Sequence, residues 1–136
     1  NGERYSGVTL HEIDNSIDGG SIISQMKYKI RTNATAQENY IKLMNTAVKL
    51  FKCKIEDIID NNFKSKPQDD KLAGKYYDRK SADYKSLKNF HIENYDLETH
   101  NKLRALIFPA FQYPIVEGKE VKRSILKNGK FVCEFV

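Results

Sequence analysis

The sequence predicts an α/β chain: two strands around an acidic, glycine-closed loop, one long helix, then a short helix with β-hairpins. Three observations carry this. Residues 7–13 and 22–30 alternate in polarity with the two-residue period of a strand. Ile41, Met44, Val48, Phe51, Ile55 and Ile58 recur at spacings of three and four, which places them on one helical stripe. Asn128-Gly129 sits between two strand-like runs and suits a type I′ turn.

In the first strand Val8, Leu10 and Glu12 share one face, and Thr9, His11 and Ile13 the other. In the second, Ile22, Ser24, Met26, Tyr28 and Ile30 face one way, with Lys27 and Lys29 opposite. Residues 14–20 form the loop between them. Thr35-Ala-Gln-Glu38 is a capping box that opens the long helix, whose apolar stripe is expected to be core. The helix is expected to stop near Asn61-Asn62, since Asn tolerates the left-handed conformation at a helix C-terminus.

Residues 63–95 are rich in lysine and tyrosine and read as an irregular connection over the surface. Tyr76, Tyr77, Tyr84, Leu87 and Phe90 each call for burial there. Asp96 is placed to cap a short helix through Ile107, ended by Pro109. Residues 115–121 suggest a hairpin about Gly118, followed by the one at Asn128-Gly129.

The 136 residues suffice for one globular domain with a real core, and the 40% hydrophobic, 30% charged composition argues for a folded, soluble chain. No apolar run approaches the ~20 residues that a membrane helix needs, and the N-terminus lacks the apolar centre of a signal peptide. Cys53 and Cys133 are distant and form no Cys-x-x-Cys pair, which with three scattered histidines argues against structural zinc. A reducing, cytoplasmic setting follows as the default. The net charge of +5 concentrates at 64–88 and 119–130, mostly interleaved with acids and without an arginine-rich helix. That pattern favours a basic surface suited to an anionic small substrate over a nucleic-acid interface.

The loop raises a metal question, because Asp14, Ser16, Asp18 and Gly19 match positions 1, 3, 5 and 6 of a calcium loop. The template fails elsewhere: Gln25 stands where a bidentate glutamate is required, Ser21 replaces an apolar residue, and the flanks read as strands rather than helices. Taken alone, the segment is as much a turn as a site, since glycines supply the conformations a tight turn requires.

The whole stretch G-V-T-L-H-E-I-D-N-S-I-D-G-G-S-I-I-S-Q, residues 7–25, resembles the signature of the folate-dependent formyltransferases. That pattern is a strand G-(V/T)-(T/S)-x-H, a loop, (L/I)-D-x-G, and a strand ending in Gln. Gly7, Thr9, His11, Ile17, Asp18, Gly20 and Gln25 fall in place. Arg104-Ala-Leu-Ile-Phe-Pro109 is similar to the R-A-x-x-x-P segment of the methionyl-tRNA and sugar enzymes, and Tyr76-Tyr77-Asp78-Arg79-Lys80 to the segment before it.

The resemblance implies the C-terminal part of a Rossmann-like formyltransferase core over 1–62, strand-loop-strand-helix, and a C-terminal extension over 63–136. It implies transfer of a formyl group from N10-formyltetrahydrofolate to a primary amine, through a tetrahedral intermediate. Asp18 matches the catalytic carboxylate, His11 the strand histidine in a supporting role, and Ile13, Asp14, Asn15 and Ile17 the loop that holds the pterin. His91 and His100 match nothing in the family pattern and are expected as surface or helix residues. The family's Asn-x-His motif, which normally precedes the signature, is absent from these residues, so a C-terminal piece of a longer enzyme is expected. The short tail after Pro109 favours a nucleotide-linked amino-deoxysugar as the acceptor, and a homodimer is expected. The alternatives are a methionyl-tRNA formyltransferase-like protein that binds RNA, and an inactive relative.

Overall fold

The alternating runs fold as two strands, β1 (Tyr5–His11) and β2 (Ile22–Lys29), in a computed structural model that describes residues 2–69 and 89–136. Tyr76 to Lys80, Tyr84 and Leu87 lie outside the described residues, as does the 70–88 part of the lysine-rich connection. By their contacts the described residues separate into two units. One holds 5–29 and 41–69, the other 2–4, 30–40 and 89–136.

In the first unit β1 and β2 pair antiparallel, Tyr5 opposite Lys29 through Leu10 opposite Ser24. The register then shifts, so that His11 meets Ile22. Such a bulge bends the strand end and redirects the side chain next to it, here the imidazole of His11. Signature residues Thr9 and Gln25 face each other across the ladder, and Gln25 Nε2 donates to Thr9 Oγ1 at 3.0 Å. Ser24, Met26 and Tyr28 are the more buried set on β2, as the alternation requires.

Helix α1 (Ala36–Ile59) begins at the capping box. The Glu38 amide donates to Thr35 Oγ1 at 3.2 Å, and the Thr35 amide donates back to Glu38 Oε2 at 3.1 Å. It ends where Asn61 takes a left-handed φ of 51°. The expected core stripe is corrected here. Ile41, Met44, Val48 and Phe51 are 44–53% exposed, Ile55 and Ile58 are half-buried, and Leu50 is the one buried residue of the helix. Amphipathic spacing declares that a face is apolar, not what covers it. No helix among the described residues is long and apolar enough to cross a membrane.

The second unit is built on helix α2 (Leu97–Leu106) and a sheet ordered β3 (Asn89–Phe90), β4 (Ile115–Val116), β5 (Lys119–Lys127) and β6 (Lys130–Phe135). Asp96 caps α2 by accepting the Thr99 amide at 2.8 Å. Both turns are left-handed at each central residue, Glu117-Gly118 at φ 48° and 75° and Asn128-Gly129 at 51° and 76°, as type I′ hairpins demand. The β3–β4 pairing is parallel and falls in a segment whose sequence reads as irregular. Leu103, Ile107, Val116 and Val121 form the core, with Phe90, Tyr95 and Tyr113 packed against it.

His100 is on a helix as expected, yet it is wholly buried. Its Nε2 donates to the Thr32 carbonyl at 3.0 Å, so its Nδ1 accepts the Ser124 hydroxyl proton at 2.7 Å. Ser124 Oγ in turn lies 2.6 Å from Tyr95 OH, which accepts from the Cys133 thiol at 2.9 Å. Phe131 stacks on the imidazole at 4.7 Å. In this arrangement every member is satisfied while uncharged. Burial favours the same uncharged forms, pushing the His100 pKa down and those of Tyr95 and Cys133 up. Cys133 and Cys53 are both free thiols. Arg104, the arginine of the R-A-x-x-x-P segment, donates to the Ala34 carbonyl at 3.1 Å and to Asn101 Oδ1 at 2.9 Å, tying α2 to the residues before α1.

A histidine held neutral contributes stability above its ordinary value of 6.5 and loses it as pH falls from there through the lower folded-state value. The urea midpoint is therefore expected to be lower at about pH 5 than at about pH 7.5. In a His100→Asn variant, which has nothing to titrate at that position, the difference is expected to shrink.

Candidate functional site

The site is the loop between β1 and β2, and its shape starts from one carbonyl. The Glu12 amide donates to the Ser21 carbonyl at 2.9 Å, which closes the loop. The Glu12 carbonyl accepts from His11 Nδ1 at 2.7 Å. Gly20, the glycine of the D-x-G pattern, passes so close that a Cβ there would stand 1.9 Å from the same oxygen. No side chain fits, so the glycine is required by contact rather than by its own dihedral angle.

A carbonyl only accepts, so His11 Nδ1 must carry a proton and Nε2 is the nitrogen left to face the loop. Nε2 lies 3.8 Å from Asp18 Oδ1, with His11 26% and Asp18 90% exposed at the side chain. Asp18 stands in the left-handed region at φ 56°, which a few per cent of non-glycine residues adopt, Asp and Asn most readily. The structure thus brings together the two residues that the sequence marks as catalytic.

The remaining loop residues divide into two kinds. Asp14 Oδ1 accepts from both the backbone and the hydroxyl of Ser16, and these two bonds hold its carboxyl below the usual value. Asp14 and Ser16 therefore form an Asx-type turn. Ile13 and Ile17 are each 96% exposed. Among the described residues the backbones of Ile13, Asn15 and Ile17 take no hydrogen-bond partner. Two uncovered isoleucines, with the free backbone groups of Ile13, Asn15 and Ile17, suit one edge of a flat heteroaromatic ring, apolar on its faces and polar at its rim. The residues present fit a pterin in that sense.

One residue in this site carries no sequence signal. Gln68, nine residues beyond the end of α1, donates from Nε2 to the Asp18 carbonyl at 2.7 Å and to the Gly20 carbonyl at 2.8 Å. A lone glutamine after Pro67 belongs to no motif, and only the folded loop reveals it. Elsewhere, a cavity of about 280 Å³ opens beside Arg31, Asn33, Glu38 and Arg123. Its two guanidiniums share one carboxylate, lying 3.9 and 2.9 Å from Glu38, so the charged groups lining the cavity leave an excess of one positive charge. Burial raises the Glu38 pKa, but the Thr35 amide and Arg123 outweigh it, leaving the carboxyl below its ordinary 4.5.

Two solved structures superpose closely. The N-formyltransferase from Helicobacter canadensis, in complex with folinic acid and dTDP-3-aminofucose, matches 93% of this chain at 34% identity and TM-score 0.82. WlaRD, a sugar 3N-formyl transferase solved in the presence of dTDP and 5-N-formyl-THF, matches 93% at 37% identity, also with TM-score 0.82. The chain belongs to the formyltransferase family. This formyltransferase-family chain is also 31% identical over 116 residues to the bifunctional polymyxin resistance protein ArnA of Wigglesworthia glossinidia brevipalpis. It spans 46% and 45% of the two solved chains and 17% of ArnA. No protein-family model matches it.

Replacing Gly20 by Ala is expected to force the Glu12 carbonyl aside, at a cost of about 1–3 kcal/mol. Urea unfolding of the variant measures that cost. The same shift should move the His11 ring resonances in an NMR spectrum, because the Nδ1 contact goes with it.

Proposed function

We propose that this chain carries the carboxylate half of a sugar-nucleotide N-formyltransferase site. The observation that supports this reading most is the meeting of His11 and Asp18 on a loop that keeps all seven signature positions. In this reading residues 1–62 belong to the catalytic core and 63–136 to an extension. The acceptor is a nucleotide-linked amino-deoxysugar, a choice supported by the dTDP ligands of the two similar structures.

N10-formyltetrahydrofolate supplies the formyl carbon: its bond to the acceptor amine forms, its bond to N10 breaks, and formamide and tetrahydrofolate result. Across that exchange the amine loses one proton and N10 gains one. Asp18 takes the proton from the attacking amine, since an exposed carboxylate on an open loop is within reach of a bound substrate. His11 Nε2 is a small side-chain rotation short of a hydrogen bond to Asp18 and holds or passes that proton, while its Nδ1 stays bound to the Glu12 carbonyl. Ile13, Asp14, Asn15 and Ile17 form one edge of the pterin site. The oxyanion needs further donors, and an Asn-x-His segment from outside these 136 residues would supply them.

The setting is the cytoplasm, in line with two free thiols. A second copy pairs through the sheet edge at β6, where Val132 and Phe135 are 37% and 45% exposed.

In the full-length polypeptide given N10-formyltetrahydrofolate and a dTDP-linked amino sugar, mass spectrometry should detect the formylated sugar. Asp18→Asn is expected to lower kcat by about 100-fold or more with an unchanged circular dichroism spectrum. Turnover near that of the unmodified enzyme would remove Asp18 from the mechanism. Salt-dependent RNA binding without sugar formylation would favour the tRNA reading.

A further inference from the structure

Resting on the reading above, we infer that Gln68 is a positioning residue for Asp18, holding the catalytic carboxylate toward His11 through the backbone of the loop. The segment bearing Gln68 is laid against the start of β2 by a two-way backbone pairing. Ile22 donates to the Lys66 carbonyl at 2.7 Å, and Lys66 donates back to the Ile22 carbonyl at 2.9 Å. Two residues further on, the Gln68 carboxamide reaches across the loop mouth. Its Nε2 carries two hydrogens, and each has one carbonyl: Asp18 at 2.7 Å and Gly20 at 2.8 Å. Both acceptors are carbonyls, so the NH2 end of the carboxamide must face them.

Those two carbonyls belong to the Asp18–Gly19 and Gly20–Ser21 peptides and flank the Gly19–Gly20 peptide between them. Holding both restrains the ψ of Asp18 and, with it, the direction of the Cα–Cβ bond that carries the carboxylate. This matters at Asp18 more than elsewhere, because its φ of 56° lies in a sparsely populated region. Among the described residues no other contact holds the Asp18 backbone in that conformation. Gln68 itself is exposed. Water can replace an exposed hydrogen bond at little net cost, but it cannot hold two carbonyls at one spacing. The bridge therefore contributes little to global stability and much to the aim of one side chain.

The test uses the full-length enzyme and two variants, Gln68→Ala and Gln68→Glu. The glutamate keeps the shape, loses both donors and sets a carboxylate against two carbonyl oxygens. In both, kcat should fall about 10- to 100-fold, as a misplacement near 1 Å predicts. KM for the nucleotide sugar should hold within about twofold, since uniform binding is untouched. The unfolding midpoint should barely move. Without substrates, ¹⁵N relaxation should show residues 18–20 becoming mobile in Gln68→Ala. In an Asp18→Asn background, Gln68→Ala should lose nothing further, because the two act as one unit. The inference is overturned if Gln68→Ala keeps the kcat of the unmodified enzyme, if its loss lies in KM alone, or if the loop stays ordered. It is equally overturned if the two substitutions multiply. An active Asp18→Asn enzyme would sink the catalytic reading itself and this inference with it. An inactive Asp18→Asn beside a fully active Gln68→Ala would sink only this inference.

Discussion

The carbonyl of Glu12 is the point from which the site is laid out. It receives the Nδ1 proton of His11 at 2.7 Å, and Gly20 runs past it at a distance where any Cβ would stand 1.9 Å from the oxygen. The amide of the same residue closes the loop on Ser21. The backbone of one residue thus sets the histidine's tautomer, requires the glycine and ends the loop. The register shift at Leu10/His11 belongs to the same arrangement, because it turns the imidazole at the strand end toward the loop. Move that carbonyl, and the imidazole, the loop closure and the approach of Gly20 all move together.

The two units solve their polar problems in opposite ways. Around His100 the groups are buried and neutral, each donor matched to one acceptor from Cys133 through Tyr95 and Ser124 to Thr32. No buried side-chain nitrogen or oxygen among the described residues lacks a partner. A network of that kind specifies one packing, because any member turned away leaves a buried group unsatisfied. The β1–β2 loop does the reverse: Asp18, Ile13 and Ile17 are almost wholly exposed. The His100 network is closed and buried, whereas Asp18 sits on an open loop held by few bonds.

Local physics was legible in the sequence wherever a single element decides it. The capping box at Thr35 and Glu38, the Asp96 cap, the left-handed Asn61 and both hairpin turns depend on residues within four positions, and the chain writes them plainly. The pairing of His11 with Asp18 was legible for another reason: the signature keeps strand, loop and strand at fixed spacing. What stayed hidden depends on distant partners. The stripe of Ile41, Met44, Val48 and Phe51 announces an apolar face but not its cover, and the structure leaves it exposed. Burial of His100 depends on Ser124 and Thr32, 24 and 68 residues away. Gln68 reaches Asp18 across 50 residues with no periodicity to betray it.

The left-handed backbone of Asp18 joins these threads. A carboxylate on a regular strand or helix would inherit its direction from the ladder or the helical bonds around it. On the loop between β1 and β2, residues 12–21, it has no such support, and aspartate in the left-handed region is a minor conformation of the free chain. Two kinds of restraint are then needed. The pinch at Gly20 and Glu12 limits the path of the loop, and the Gln68 carboxamide limits its rotation. Neither touches the carboxylate, so both leave its oxygens free for a proton. That separation is the physical advantage of steering a carboxylate through its backbone. A direct hydrogen bond to the carboxylate would hold it as firmly, but it would also stabilise the charged form and blunt the base.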